Sequence, residues 1–324
     1  MLTSRLGLDL PPEIGSSAAA CSTDAELCFQ WGNAAKLSVV KSSDDVCYEF
    51  KWETAGLLSN RDCVDIDAGG AVWFGGAEEY NQHFPLRKSN SRAEVPFVTG
   101  DMLQDSERYF GGVVEPWWVS SLGVGVHVPE GVPLFYSWNA DGDGRMCLAT
   151  KFAAPYFIPD SREPLRLDYS ICLKSDAREM QMYAVDNLLG KPTAIPDERM
   201  MRDPVWSTWA QFKVDIDEAT VRGFAADIRA FGFSDSQLEI DDNWETCYGE
   251  AVFDQEKFPD PRSMVSDLNE MGFRTTLWIH PFINASCPTW SEVALGYNSY
   301  FVRDSKADSL GKSRPNRPTS TSLN

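Results

Sequence analysis

Along the first 195 residues, apolar positions come in short runs separated by turn-forming residues. The runs are Lys36–Val40, Cys47–Trp52, Ala71–Phe74, Val124–Val128, Val132–Ser137, Met146–Phe152 and Leu165–Leu173. Between them lie Ser42-Ser43-Asp44-Asp45, Ala68-Gly69-Gly70, Pro129-Glu130-Gly131 and Asn139-Ala140-Asp141-Gly142-Asp143-Gly144. Several strand-like runs at this spacing predict an antiparallel β-sandwich. We place it at residues 30–195, after an N-terminal segment of residues 1–29. Pro192, Pro196 and Pro204 mark the connection that follows.

After Pro204 the rhythm lengthens. Val205–Phe212 predicts a strand. Asp215 or Asp217 can cap a helix running to about Phe231, with Val221, Phe224, Ala225 and Ile228 on one face and Gly232 just beyond it. Gln237–Asp241 predicts a second strand. Asp260-Pro261 opens a second helix as N-cap and first-turn proline, with Met264, Val265, Leu268 and Met271 on its apolar face. Gly272 closes that helix, and Phe273–Ile283 predicts a third strand. Trp206 to Leu238 is 32 positions and Leu238 to Thr276 is 38, which fits βα units of a parallel sheet. The expectation is a β-sandwich followed by an incomplete (β/α)8 TIM barrel at residues 196–311. Val205–Asn324 is 120 residues, whereas a closed barrel takes about 250. Residues 312–324 (KSRPNRPTSTSLN) are polar and proline-bearing, and read as a disordered tail. The chain therefore reads as C-terminally truncated.

Composition narrows the ligand class. A formal charge of −19 lacks the clustered cations that nucleic-acid binding needs. Eleven Trp, 18 Phe and 10 Tyr beside many carboxylates suit a neutral polar ligand such as carbohydrate. The eight cysteines form no C-x-x-C pair, so no zinc site is expected. They are read equally well as disulfides or as reduced core thiols. No apolar run is long enough to span a bilayer, and Met1–Gly15 makes a poor signal peptide. Asn284-Ala285-Ser286 is the only N-glycosylation sequon.

The candidate chemistry sits at two strand ends. Asp241 and Asp242 close the second strand, and Trp278 and His280 close the third. In an α/β barrel such ends carry the ligand site. Successive strand residues face opposite ways, so only one of the two aspartates lies on the inward row. Trp206 and Trp209, three apart on the first strand, likewise face opposite ways, which leaves one free to reach the rim. His280 has no Ser or Cys nucleophile motif beside it and reads as a structural histidine. Asn139-x-Asp141-x-Asp143-Gly144 imitates the start of a calcium loop, but Thr150 stands where glutamate is needed. It reads as a hairpin turn. Gly75-Gly76-Ala77-Glu78-Glu79 lacks the lysine of a phosphate loop.

Taken in order, these segments resemble the family 31 glycoside hydrolases. The matching pieces are Ala71–Glu79, Pro116–Gly125, Pro204–Trp209, Leu238–Trp244 with Phe253–Pro261, and Thr276–Ile283. The resemblance spans roughly residues 30–300 and implies a retaining α-glycosidase that needs no cofactor or metal. Its nearest branch implies an α-galactoside. It implies that Asp241 binds hydroxyls of the sugar in the −1 subsite, that Trp278 walls the pocket, and that Asp242 reads an axial hydroxyl. Trp209 is carried as a fourth substrate-binding residue, and Asp101 or Asp105 as a reach from the sandwich. The catalytic carboxylates of the family sit on later barrel strands, so none is assigned in this chain. For the full-length parent the resemblance implies a homodimer in the secretory pathway or ER lumen. Two rivals stand beside this reading: a non-catalytic carbohydrate-binding or scaffold protein, and an unrelated α/β enzyme using His280.

Overall fold

The computed structural model describes residues 4–11, 18–21, 25–55, 58–156 and 164–290, with 292, 296 and 301. The predicted tail at 312–324 lies outside the described residues. The chain divides into two compact units whose main bodies are Met1–Lys191 and Pro192–Val302.

The first unit contains β1 (Ser4–Arg5), β2 (Ala19–Ala20), β3 (Leu27–Trp31), β4 (Ala35–Lys41), β5 (Cys47–Thr54), β6 (Asn60–Asp65) and β7 (Trp73–Ala77). These are followed by β8 (Arg92–Pro96), β9 (Val114–Ser120), β10 (Val124–His127), β11 (Leu134–Trp138), β12 (Arg145–Thr150) and β13 (Leu165–Leu173). One sheet runs β2-β3-β4-β5-β13-β10-β9-β7 and the other β1-β6-β12-β11-β8. Alternation drives the arrangement. In β13, Leu165, Leu167, Tyr169 and Ile171 are buried in turn. They join one core with Trp52, Trp73, Trp118, Tyr136 and Trp138. Trp118 and Tyr136 stack at 5.0 Å between the two sheets. The Asn139–Gly144 segment joins β11 to β12, with the Gly144 amide donating to Asn139 Oδ1 at 2.8 Å. Gly75 and Gly76 sit at a bulge of β7 against β9.

One element of this unit departs from the β-rich expectation. Ala177–Asn187 is a helix (α1), capped by Asp176, which accepts from the Glu179 amide at 2.9 Å. Met180 and Ala184, one turn apart, bury against Trp117, Val119 and the Cys47–Cys172 disulfide. Trp117 lies across Gly125, where an added Cβ would meet the indole at 2.2 Å. All eight cysteines are paired, as Cys21–Cys28, Cys47–Cys172, Cys63–Cys147 and Cys247–Cys287, so the reduced-thiol reading does not hold.

The second unit begins with α2 (Arg199–Arg202) and holds β14 (Val205–Ser207), α3 (Trp209–Phe212), α4 (Glu218–Ala230), β15 (Gln237–Ile240), α5 (Pro261–Glu270) and β16 (Arg274–Leu277). Its three strands are parallel in the order β14-β15-β16. Asp217 caps α4 through the Thr220 amide at 2.7 Å, and Asp260 caps α5 through the Ser263 amide at 3.0 Å. Val221, Ala225 and Ile228 of α4 and Met264 and Leu268 of α5 close over Leu238 and Ile240. Burying this apolar surface stabilises the layer by roughly 25 cal/mol per Å² removed from water.

Two strand expectations are corrected here. Val205–Phe212 is not one strand: β14 ends at Ser207, and Trp209–Phe212 is a helical turn. Thr208 already has helical dihedrals, because its buried hydroxyl accepts from the Asp241 amide at 2.9 Å. The third strand is also shorter than Phe273–Ile283, ending at Leu277. Beyond Trp278, His280 Nδ1 accepts from the Phe282 amide at 3.2 Å across Pro281 and turns the chain.

Asp62 supplies a pH test of the first unit. It is buried, and its carboxylate accepts from Trp52 Nε1 (2.7 Å), Tyr169 OH (2.8 Å) and the Gly7 amide (2.6 Å). Burial outweighs these donors and pushes its carboxyl up to about 6. An unfolded aspartate titrates near 3.9. Between these values the folded chain binds a proton at Asp62 that the unfolded chain has released, so the contribution of Asp62 to stability falls as pH rises from about 4 to about 7. Thermal melts across this range should show the wild-type advantage over Asp62→Asn shrinking as pH rises. A constant difference contradicts the assignment.

Candidate functional site

Parallel register brings the ends of β14, β15 and β16 to one level. Ser207 pairs with Glu239 and Glu239 with Thr276, while Ile240 pairs with Leu277. The next residues are Asp241 and Trp278, and the Trp278 amide donates to the Ile240 carbonyl at 2.9 Å. The sequence-predicted pair Asp241 and Trp278 is thus set side by side by a backbone bond of the sheet.

Asp241 is held on three sides. Its amide donates to Thr208 Oγ1, its Oδ1 accepts from the Asp242 amide at 2.7 Å, and its Oδ2 accepts from Ser207 Oγ at 3.4 Å. Glu239, two residues back and so on the same strand face, lies against the same group. Its pKa is raised, first by burial, which the Ser207 hydroxyl opposes and the neighbouring Asp241 carboxylate reinforces. Glu239 was not among the sequence candidates, although alternation along Leu238-Glu239-Ile240-Asp241 identifies it.

Asp242 turns away from this row. Asn243 follows with φ of 70°, and Asp242 Oδ1 accepts from Tyr248 OH at 2.5 Å. Burial, and then the hydrogen bond to Asp242, push the Tyr248 phenol well above its ordinary value. The Tyr248 ring meets Trp278 edge-on at 6.1 Å and His280 at 5.1 Å. Tyr248 carried no motif and was also missed from the sequence. His280 stands 5.2 Å from Trp278, edge to face.

Trp209 is placed differently from its expectation. It starts the short helix α3, is 40% exposed, and faces Lys213, whose ammonium lies 5.0 Å from the ring. Only its backbone touches the site, the amide donating to Ser207 Oγ at 3.2 Å. Asp101 and Asp105 lie in a loop of the first unit, where Asp105 Oδ1 accepts from the Arg108 amide. Among the described residues no cluster of three or more His, Cys, Asp or Glu is arranged for a metal ion. A shallow cleft lined by Arg199, Val205, Gln237 and Arg274 lies at the other, N-terminal ends of the strands. Its arginines are engaged, Arg274 with Asp197 and Arg199 with Asp203.

The loops that carry these groups are tied together. Cys247 and Cys287 join the loop after β15 to the loop after β16. The Asn284 amide donates to the Tyr248 carbonyl at 2.9 Å, and Trp244 Nε1 donates to the Trp278 carbonyl at 2.7 Å. Buried Glu245 accepts from the amides of Gly249 and Ala251, both at 3.0 Å.

The chain belongs to the family 31 glycoside hydrolases, as two similarities show. Residues 204–321 match the glycosyl hydrolases family 31 TIM-barrel domain. The chain is 36% identical over 260 residues to the myogenesis-regulating glycosidase of Mus musculus, covering 79% of this chain and 36% of that protein. Two solved structures share the fold. A family 31 sulfoquinovosidase from E. rectale, in complex with an aza-sugar inhibitor, superposes with a TM-score of 0.62 at 12% identity, over 87% of this chain and 42% of its own. A family 31 dextranase of Flavobacterium johnsoniae complexed with isomaltotriose gives 0.58 at 15% identity, over 86% and 33%. The chain thus spans about a third of the length of the mouse relative.

The Glu245 contacts generate a stability prediction. Glu245→Ala removes two charge-assisted hydrogen bonds from a buried carboxylate to the amides of the exposed residues Gly249 and Ala251, so denaturant unfolding should lose roughly 1–3 kcal/mol. Hydrogen exchange at Gly249 and Ala251 should rise in parallel. An unchanged midpoint and unchanged exchange refute the role given to Glu245.

Proposed function

We propose that this chain carries the sugar-holding wall of a retaining α-glycosidase, with an α-galactoside as ligand, and not the carboxylates that cleave the bond. The observation that carries the reading is the juxtaposition of Asp241, Asp242 and Trp278 at the level ends of β15 and β16. An indole offers an apolar face to a sugar ring, and ionised carboxylates accept strong bonds from its hydroxyls. Asp241 serves the hydroxyls of the −1 sugar, and Asp242 an axial hydroxyl. Trp209 joins them only through the backbone at Ser207, so its ring is given the least weight. Structures of family 31 relatives with an aza-sugar inhibitor and with isomaltotriose support a carbohydrate ligand.

Double displacement needs two carboxyl groups about 5–5.5 Å apart, one nucleophile and one acid/base. By the family resemblance both of those groups belong to later barrel strands. We therefore assign no catalytic residue in this chain, and its own behaviour is that of a carbohydrate binder. The first unit is read as the β-sandwich that precedes the barrel in this family, with the boundary near residue 195. For the full-length parent we infer the secretory pathway or ER lumen, and the disulfides of both units support that oxidising setting.

Binding is tested by tryptophan fluorescence with methyl α-D-galactoside. Saturable quenching is expected, weakened roughly 10- to 100-fold by Asp241→Ala, the loss of one charge-assisted hydrogen bond. Trp278→Ala should weaken binding comparably in a calorimetric titration. Aryl α-galactoside and α-glucoside should not be hydrolysed by the chain, and turnover that survives Asp241→Asn would defeat the assignment.

A further inference from the structure

We propose that Tyr248 is a specificity-determining positioning residue, locked onto Asp242 by the Cys247–Cys287 disulfide so that the carboxylate is aimed at an axial sugar hydroxyl. The inference rests on the carbohydrate reading above and adds a residue and a covalent device to it.

Asp242 has no fixed place of its own. It lies past the end of β15, beside Asn243 at positive φ, and the sheet no longer dictates its direction. Its side-chain oxygen Oδ1 is fixed by one protein group, Tyr248 OH at 2.5 Å. The second oxygen, Oδ2, has no hydrogen-bond donor among the described residues. A half-buried carboxylate with one oxygen clamped and one unclaimed presents a single acceptor in a single direction. That is what discrimination between an axial and an equatorial hydroxyl requires, because a freely rotating carboxylate follows either.

The clamp works only if Tyr248 is itself immobile, and it lies in a loop. Its neighbour Cys247 is bonded to Cys287, 40 residues along, with the Cα atoms 5.7 Å apart. Its carbonyl accepts from Asn284. Its other neighbour, Gly249, has φ of 98°, and a Cβ there would meet the Phe282 carbonyl oxygen at 2.5 Å. The two loops thus touch backbone to backbone where only glycine fits. Glu250 accepts from the Thr289 amide at 3.2 Å and from its hydroxyl at 3.0 Å. Edge contacts to Trp278 and His280 then fix the phenol ring from the β16 side. Every tie to Tyr248 from outside its own loop comes from the segment after β16, and the disulfide is the covalent one.

The test compares methyl α-D-galactoside with methyl α-D-glucoside, epimers that differ only in an axial or equatorial hydroxyl at C4. Titrating the full chain with each gives a ratio of affinities. A partial loss of folded protein lowers both affinities together and leaves the ratio unchanged, whereas misdirecting Asp242 changes it. Wild type should prefer the galactoside. Tyr248→Phe keeps the ring and removes the hydroxyl, and should lower the ratio roughly tenfold, mainly through the galactoside. Cys247→Ser/Cys287→Ser should lower the ratio in the same direction, and decides the matter if Tyr248→Phe does not fold. Wild type that binds with no preference, or a preference unchanged in both variants, overturns the role of Tyr248 while leaving the sugar site standing. Wild type that binds neither sugar overturns both.

Discussion

Parallel register across β14, β15 and β16 is the constraint on which the candidate site depends. Each strand is short, at three or four residues, and no side chain of the site reaches its neighbours until the three ends are level. The backbone bond from Trp278 to Ile240 extends that level by one residue past both strands. The register is held from behind, where α4 and α5 bury Leu238 and Ile240. A one-residue slip would exchange these for Glu239 and Asp241. Moving two carboxyl groups into an apolar interface is far too costly to compete. The core behind the sheet therefore decides which residues face the ligand side.

Covalent ties repeat the same logic. Cys47–Cys172 and Cys63–Cys147 each join residues already paired across neighbouring antiparallel strands. They reinforce a register that alternation and burial have chosen. Cys247–Cys287 differs in kind, since it joins two loops that no ladder pairs. There the bond, together with the glycine contact at Gly249, supplies order that regular hydrogen bonding does not.

Much of the fold was legible in the chain. The β13, β4 and β5 runs declare themselves by period-two alternation. The starts of α4 and α5 are marked by Asp217 and by Asp260-Pro261, whose side chains cap as their type and position require. Illegible parts share a cause, which is that their determinants are distant in sequence. Trp209 looked like a strand residue because Val205–Phe212 is apolar. The Thr208 hydroxyl, bound to an amide 33 residues away, turns the chain instead. The helix α1 has only a modest apolar face and finds its burial on Trp117 and a disulfide. Tyr248 belongs to no motif, and its partner Asp242 becomes relevant only once the loop is folded back.

The sequence by itself determined the family, the order of elements and the strand ends at which carboxylates and an indole would appear. These are consequences of period, capping and residue type, all of which act over a few residues. Tertiary structure alone decided which of those groups meet: Glu239 with Asp241, Tyr248 with Asp242, and each cysteine with its partner. The physical reason is that a carboxylate's direction and protonation depend on burial and on donors from other strands and loops. Those neighbours exist only after the apolar faces have closed.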